Sequence, residues 1–355
     1  MHHLPLTAAA QLAEVVSEKQ WLHIALCQWC HCNLFDALSF ALADEDEGLL
    51  LMRPVYGKFE NDFSIQSRLK MLYVESEGRK FFAPDIVKSY ESRLAEAEAE
   101  GVNVKALLLC NPHNPSGLCY PVDTLLAILR FCSSHGLHVI SDEIYALSTF
   151  PTTRTAVTFK SVLSLDLAGV IDPGSVHVLY GMSKDFGVPG LHLGSLITRN
   201  EQLQSAFEDI GLIHTPSGLS YHVGSLILED SKFVENVIGL SRQKLSENYA
   251  LVTRMLDEAG IEYWRGGSAG FFLWVNVSAL LDGDGSDAEE KMGEKFRAQG
   301  LWLNPGVERG EHRGWVRVII SHDKVKLEEG IRRLIKTWKT VQHQNPCIES
   351  SVLPP

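Results

Sequence analysis

Four short apolar runs constrain this chain more than any other feature: ALLLC at 106–110, LHVIS at 137–141, VHVLY at 176–180 and LGSLIT at 193–198. Helix-like or connecting stretches separate them. Strands buried on both faces read as continuous apolar runs, so their alternation with helices predicts a mostly parallel sheet with helices packed on it. In open sheets of this kind ligands bind beyond the carboxyl ends of the strands. The loops leaving three of these runs, NPHNPSG, DEIY and GMSKDFG, hold the most unusual polar residues in the sequence.

The chain has 355 residues, 45% hydrophobic and 21% charged, enough for a large core and too apolar for a disordered protein. Its 32 Lys and Arg against 44 Asp and Glu give a formal charge of -12. That balance argues against a general attraction to nucleic acid or anionic membrane and favours a small-molecule partner. No apolar stretch approaches the ~20 residues of a spanning helix, and 1–10 lacks a basic start with a long apolar run, so the expected location is cytoplasmic. Seven cysteines, at 27, 30, 32, 110, 119, 132 and 347, are an odd number in a chain too large to need staples, which predicts reduced thiols. Cys27, Cys30 and Cys32 near His23 and His31 lack a second pair at finger-like spacing, so no metal is expected.

Along the chain, LFDALSFAL at 34–42 is apolar all round and predicts a buried helix ending in the acidic turn 44–48, with LLLMRPVY as a strand after it. The Ala/Glu-rich stretch 84–101 predicts an amphipathic surface helix, and 122–135 a second helix. From Ser231 the texture changes: a long charged helix to Ala259, then FFLWVNV, an acidic Gly/Asp loop, another helix and WVRVIIS at 315–321. This predicts a smaller α+β domain at 231–340 after a larger one at 33–230, with residues 1–32 divergent and a loose tail at 341–355. Phe59, Trp274 and Trp315 are expected in the core.

Lys184, flanked by Ser183 just beyond VHVLY, has no packing reason to be there. A desolvated lysine loses its proton readily and forms a Schiff base with an aldehyde. Asp142 directly follows LHVIS and places a carboxylate at the foot of the same cleft, where a pyridine-type cofactor needs an acid to keep its ring nitrogen protonated. Tyr145 and Asn114 offer hydrogen bonds to a ring oxygen. Alone, Asn114 reads as a turn residue and Asp142 as a helix cap.

The segments LLLCNPHNPSGLCYP, HVISDEIYALSTF and VLYGMSKDFGVPGLHLGSLIT resemble the class I/II aminotransferases of fold type I, most closely the 1-aminocyclopropane-1-carboxylate synthase-like branch, from about Asn33 to Lys339. The resemblance implies a three-layer α/β/α fold, pyridoxal 5'-phosphate as cofactor, an amino acid substrate and a homodimer. It makes Lys184 the lysine that condenses with the cofactor and later carries a proton at the substrate α-carbon. Asp142 would pair with the ring nitrogen, Asn114 and Tyr145 would hold the ring oxygen, Tyr56 would stack on the ring and Ser183 would contact the phosphate. Arg317, in GWVRVII, matches the arginine that grips the substrate carboxylate, a role suited to a two-pronged guanidinium on a rigid strand.

Three departures stand beside these matches. Where the family has a phosphate-clamping arginine eight residues after the lysine, this sequence has His192, which exchanges a permanent charge for a titratable one. Where relatives place a Gly and a Thr or Ser to cradle the phosphate, it reads Cys30, His31, Cys32, Asn33, leaving the backbone N–H groups around Cys32 for that task. The family has a longer amino-terminal part that helps bind substrate, whereas only about thirty residues precede the match in this sequence. The resemblance implies amino-group transfer, with carbon-sulfur or γ-elimination as a second outcome of the same lysine and ring acid. A binding module that keeps the fold without cofactor is the rival from another class.

Overall fold

The computed structural model describes residues 24–25 and 31–344, apart from 66, 77, 153–156, 212–216, 284 and 306–312; the side chains of 24–25, 31–33, 210–211, 304–305 and 341–344 lie outside that description. Its main element is a seven-stranded sheet. In chain order the strands are β1 (Ile24–Ala25), β2 (Gly48–Met52), β3 (Lys70–Val74), β4 (Val104–Cys110), β5 (His138–Asp142), β6 (Val176–Gly181) and β7 (Gly194–Thr198). They lie in the order β1-β7-β6-β5-β4-β2-β3, and only β7 runs against the rest.

Strand alternation sends successive side chains to opposite faces, and here both faces are buried. Leu50, Met52, Leu107, Leu109, Val139 and Val178 enter one core, while Leu49, Leu51, Ala106, Leu108, Ile140 and Leu179 enter the other. Helices cover each. On the first face lie α3 (Val87–Ala99), through Tyr90, Leu94 and Ala97, and α4 (Val122–Ser134), through Leu125, Ile128, Leu129 and Cys132. On the second lie α1 (His31–Leu42), α2 (Phe59–Ser64) and, later in the chain, α6 (Glu201–Gly211), with Phe35, Phe59 and Phe63 packed ring against ring. This is the three-layer α/β/α arrangement expected. The helix at 34–42 is not buried all round, however: Phe40 is 70% exposed, because a helix on a sheet hides only the face turned to it.

Between β6 and β7 stands the one-turn helix α5 (Met182–Asp185), and after α6 come α7 (Gly218–Glu229) and α8 (Ser231–Ala259). Asp230 caps α8 by accepting from the Phe233 N–H at 2.9 Å, and Gly260 ends it with a φ of 68°, in the left-handed region that favours glycine. A second, antiparallel sheet follows, ordered β8 (Phe272–Asn276), β10 (Trp315–Ile319), β9 (Asn304–Pro305). It packs with α8, α9 (Ala288–Ala298) and α10 (Lys324–Gln344) around a core of Val252, Leu256, Val275, Phe296, Val318 and Leu334. Helix α10 continues to Gln344, past position 341 where the sequence suggests a tail. Phe59 and Trp274 are fully buried, and Trp315 packs on the first core.

Candidate active site

The register of the parallel strands decides what meets what. Cys110 at the end of β4 lies opposite Asp142 at the end of β5, and Asp142 lies opposite Leu179 of β6. The three polar loops therefore leave the same edge of the sheet side by side. They enclose a cavity of about 340 Å³ lined by Lys184, Asp142, Asn114, Tyr145, Tyr56, Ser183 and His192, together with Phe35, Asp62, Ile144, Pro189 and Gly190.

Each wall has a local cause. Asp142 is 3% exposed and its Oδ1 accepts from the Ile144 N–H at 3.1 Å, the Asx-type contact of a chain turning off a strand. The Cys110 thiol sits 4.0 Å from Asp142 Oδ2; burial first, then that acid, push it well above the ordinary thiol range. Burial likewise pushes the Tyr145 phenol up, with the charge of Arg317 opposing. The Tyr145 ring stands edge-on to Phe272 at 5.2 Å. Tyr56 sits half-buried, edge-on to Phe59 at 5.3 Å. Asn114 is held in a turn that closes at Gly117, whose φ is +71° and whose carbonyl accepts from the N–H groups of Ser268 and Ala269 at 2.9 and 3.1 Å. A Cβ at Gly117 would come within 2.8 Å of the Ala269 carbonyl, so glycine is required twice over.

Arg317 reaches this cavity indirectly. It stands on β10 opposite Trp274 and Asn304, and its Nη1 donates to Asn114 Oδ1 at 3.0 Å. His192 ends a short 3-10 turn at Pro189–Leu191 with a φ of 51°, a left-handed conformation uncommon for a residue with a Cβ. Lys184 and Ser183 ride on α5, so the lysine belongs to one helical turn rather than an open loop. Cys32 falls on the first turn of α1, where its side chain lies outside the described residues, as do Cys27, Cys30 and His23. Among the described residues no group of three His, Cys, Asp or Glu could hold a metal, and Cys110, Cys119 and Cys132 are free thiols.

The chemistry of these walls fits the cofactor. An amine for an aldehyde, a buried carboxylate for a ring nitrogen, phenol and amide groups for a ring oxygen, and a hydroxyl and an imidazole for a phosphate all face one cavity of small-molecule size.

Sequence reasoning missed the layer beneath. Asp185, next to Lys184, is buried and accepts from the Leu147 N–H at 2.8 Å, the Tyr180 hydroxyl at 3.0 Å and the Ser148 hydroxyl. An acid directly following the lysine was the only signal, and it reads equally well as a solvated loop residue.

The fold and the site place the chain in the aminotransferase class I and II family, whose description matches residues 25–334, and the chain belongs to that family of pyridoxal phosphate-dependent proteins. It is 32% identical over 309 residues to the probable inactive 1-aminocyclopropane-1-carboxylate synthase-like protein 2 of Mus musculus, covering 85% of this chain and 52% of that protein. It is 31% identical over 307 residues to the probable aminotransferase tcpI of Claviceps purpurea (strain 20.1), covering 85% of this chain and 70% of that one. The chain thus spans about half the length of the first relative. Among solved structures, a single mutant of Thermus thermophilus aspartate aminotransferase superposes with a TM-score of 0.76 at 18% identity, over 93% of this chain and 80% of the other, which shows the shared fold.

Proposed function

We propose that the protein is a pyridoxal phosphate enzyme that acts at the α-carbon of an amino acid, by amino-group transfer ahead of carbon-sulfur or γ-elimination. The observation that carries this reading is the placement of Lys184 and the buried Asp142 on the walls of one small cavity. When bound, the cofactor supplies an electron sink for the bonds of the α-carbon. The chain's own residues do the rest. Lys184 would hold the cofactor through its Nζ amine and, with that amine free, would move a proton at the substrate α-carbon. The buried Asp142 would hold the cofactor's ring nitrogen and favour its protonated form. Asn114 and Tyr145 would hold the ring oxygen by hydrogen bonds, and Tyr56 would pack on the ring. Ser183, His192 and the amides at the start of α1 around Cys32 would hold the phosphate. Arg317, set against Asn114, takes the substrate carboxylate and so fixes which side of the α-carbon faces Lys184.

We place this activity in the cytoplasm and in a homodimer. Leu219, Tyr221, Leu226 and Leu228 on α7 are more than half exposed, Leu219 and Leu226 on one face of the helix and Tyr221 and Leu228 on the opposite one, apolar surface that a second copy would cover. No helix among the described residues is long and apolar enough to cross a membrane.

The test is spectroscopic and then chemical. Purified protein with pyridoxal phosphate should develop the visible band of the lysine-linked cofactor, and Lys184→Ala should lose it. An amino acid panel analysed for keto acid and amino-form cofactor, against pyruvate, ammonia or thiol, separates transfer from elimination. A colourless wild type supports the cofactor-free binding module instead, a reading favoured by the name of the Mus musculus relative and by a histidine at position 192.

A further inference from the structure

The Lys184 turn is fastened from below by a buried polar cluster that the proposed chemistry does not use. Asp185 is the last residue of α5. Its Oδ2 accepts from the Leu147 N–H at 2.8 Å and the Tyr180 hydroxyl at 3.0 Å, while its Oδ1 accepts from the Ser148 hydroxyl. The other end of the Leu147 residue is held too: its carbonyl accepts from Arg242 Nε on α8 at 2.8 Å. Leu147 and Ser148 belong to the turn that begins at Tyr145, closed by the Ser148 N–H donating to the Tyr145 carbonyl at 3.0 Å. One carboxylate thus joins the turn carrying the amine, the turn carrying the phenol and the last strand before the amine.

We propose that Asp185 is a positioning residue, whose buried carboxylate locks the Lys184 turn to the Tyr145 turn so that both side chains meet the cofactor as one rigid unit. The proposal rests on the cofactor reading above. Its physical logic is that a four-residue helix has too few internal hydrogen bonds to hold its own orientation, so a neighbour has to supply it. Three donors converging on one carboxylate do so. A purely structural acid would be an odd choice in this spot, because an apolar side chain avoids the cost of burying a charge. That cost is visible: burial pushes the Asp185 carboxyl up to about 6, with the hydrogen bonds from Ser148, Leu147 and Tyr180 and the charge of Arg242 pulling the other way.

The experiment compares wild type, Asp185→Asn and the near-isosteric Asp185→Leu in three readouts: circular dichroism, hydrogen exchange of the Leu147 amide without cofactor, and affinity for pyridoxal phosphate from the visible band. The leucine variant should keep the wild-type dichroism, lose protection at Leu147 and bind cofactor about 10- to 100-fold more weakly. Asparagine still offers an acceptor to the Leu147 N–H, so it should restore both protection and affinity to within several-fold. Wild-type affinity in a folded leucine variant overturns the proposal, as does an asparagine variant as impaired as the leucine one. Should leucine at 185 prevent folding, the Ser148→Ala, Tyr180→Phe double variant takes its place; several-fold weaker cofactor binding supports the lock, and unchanged binding overturns it. A wild type with no visible band refutes the cofactor reading, and the exchange at Leu147 still reports whether Asp185 joins the two turns.

Discussion

The two ends of the main sheet bury polar groups in opposite ways. At the carboxyl ends of β4, β5 and β6 the side chains of Asn114, Asp142 and Lys184 face a cavity. At the amino ends of β5 and β6 the rings of His138 and His177 stack, His138 Nδ1 lies 2.9 Å from His177 Nε2, and His177 Nδ1 lies 2.8 Å from the Thr198 hydroxyl. The histidines and Thr198 satisfy one another. A buried titratable group thus marks chemistry where its partners face open space, and architecture where its partners face each other.

The comparison breaks most sharply at Asp142. Asp142→Ala should lower turnover by about 10³-fold while shifting the melting temperature little, because the side chain faces the cavity; kinetics and calorimetry on one preparation check both. His177→Ala should do the reverse. It leaves His138 and Thr198 without a shared partner and opens a hole, at a cost of about 2–4 kcal/mol in denaturant unfolding, with cofactor affinity unchanged. A smaller kinetic effect is expected from Arg317→Lys, which keeps the charge and loses the fork: KM for the amino acid should rise about tenfold with kcat largely retained.

The finest distinction lies in pH. Burial, then the neighbouring His138, push His177 down to about 3. The fold holds it neutral while the unfolded chain protonates near the ordinary value of 6.5, so its contribution is present above that value and is lost as pH falls toward 3. Glu143, beyond Asp142, is pushed up to about 7 by burial against hydrogen bonds from Ser161, Val162 and Ser141. Its contribution runs the opposite way, full below the ordinary 4.5 and lost as pH rises through 7. Melting temperatures followed from pH 4 to pH 8 should therefore become less acid-sensitive in a His177→Asn variant and less alkali-sensitive in Glu143→Gln.

Much of this was legible in the sequence, for reasons particular residues explain. The strands β4, β5 and β6 announce themselves because both their faces are buried, and Asn114, Asp142 and Lys184 stand out because each polar residue follows such a run closely. The helix at 231–259 is readable from the long charged stretch that forms it. By contrast, β3 is an outer strand whose KMLYV is only partly buried, so its pattern is weak. The reversed direction of β7 carries no sequence signature, since an apolar strand reads the same either way. The lock at Asp185 was invisible because it joins residues 147, 148, 180, 185 and 242, which only the fold brings together.

The unbroken run of α8 has a mechanical consequence. Its 29 residues, at the usual rise of about 1.5 Å each, make a rod of roughly 40 Å that touches the Leu147 carbonyl through Arg242 and the second core through Val252 and Leu256. A rod transmits torque where a loop would dissipate it. Any rocking of the β8–β10 layer relative to the main sheet must therefore bend this helix or tug on the backbone three residues before Phe150.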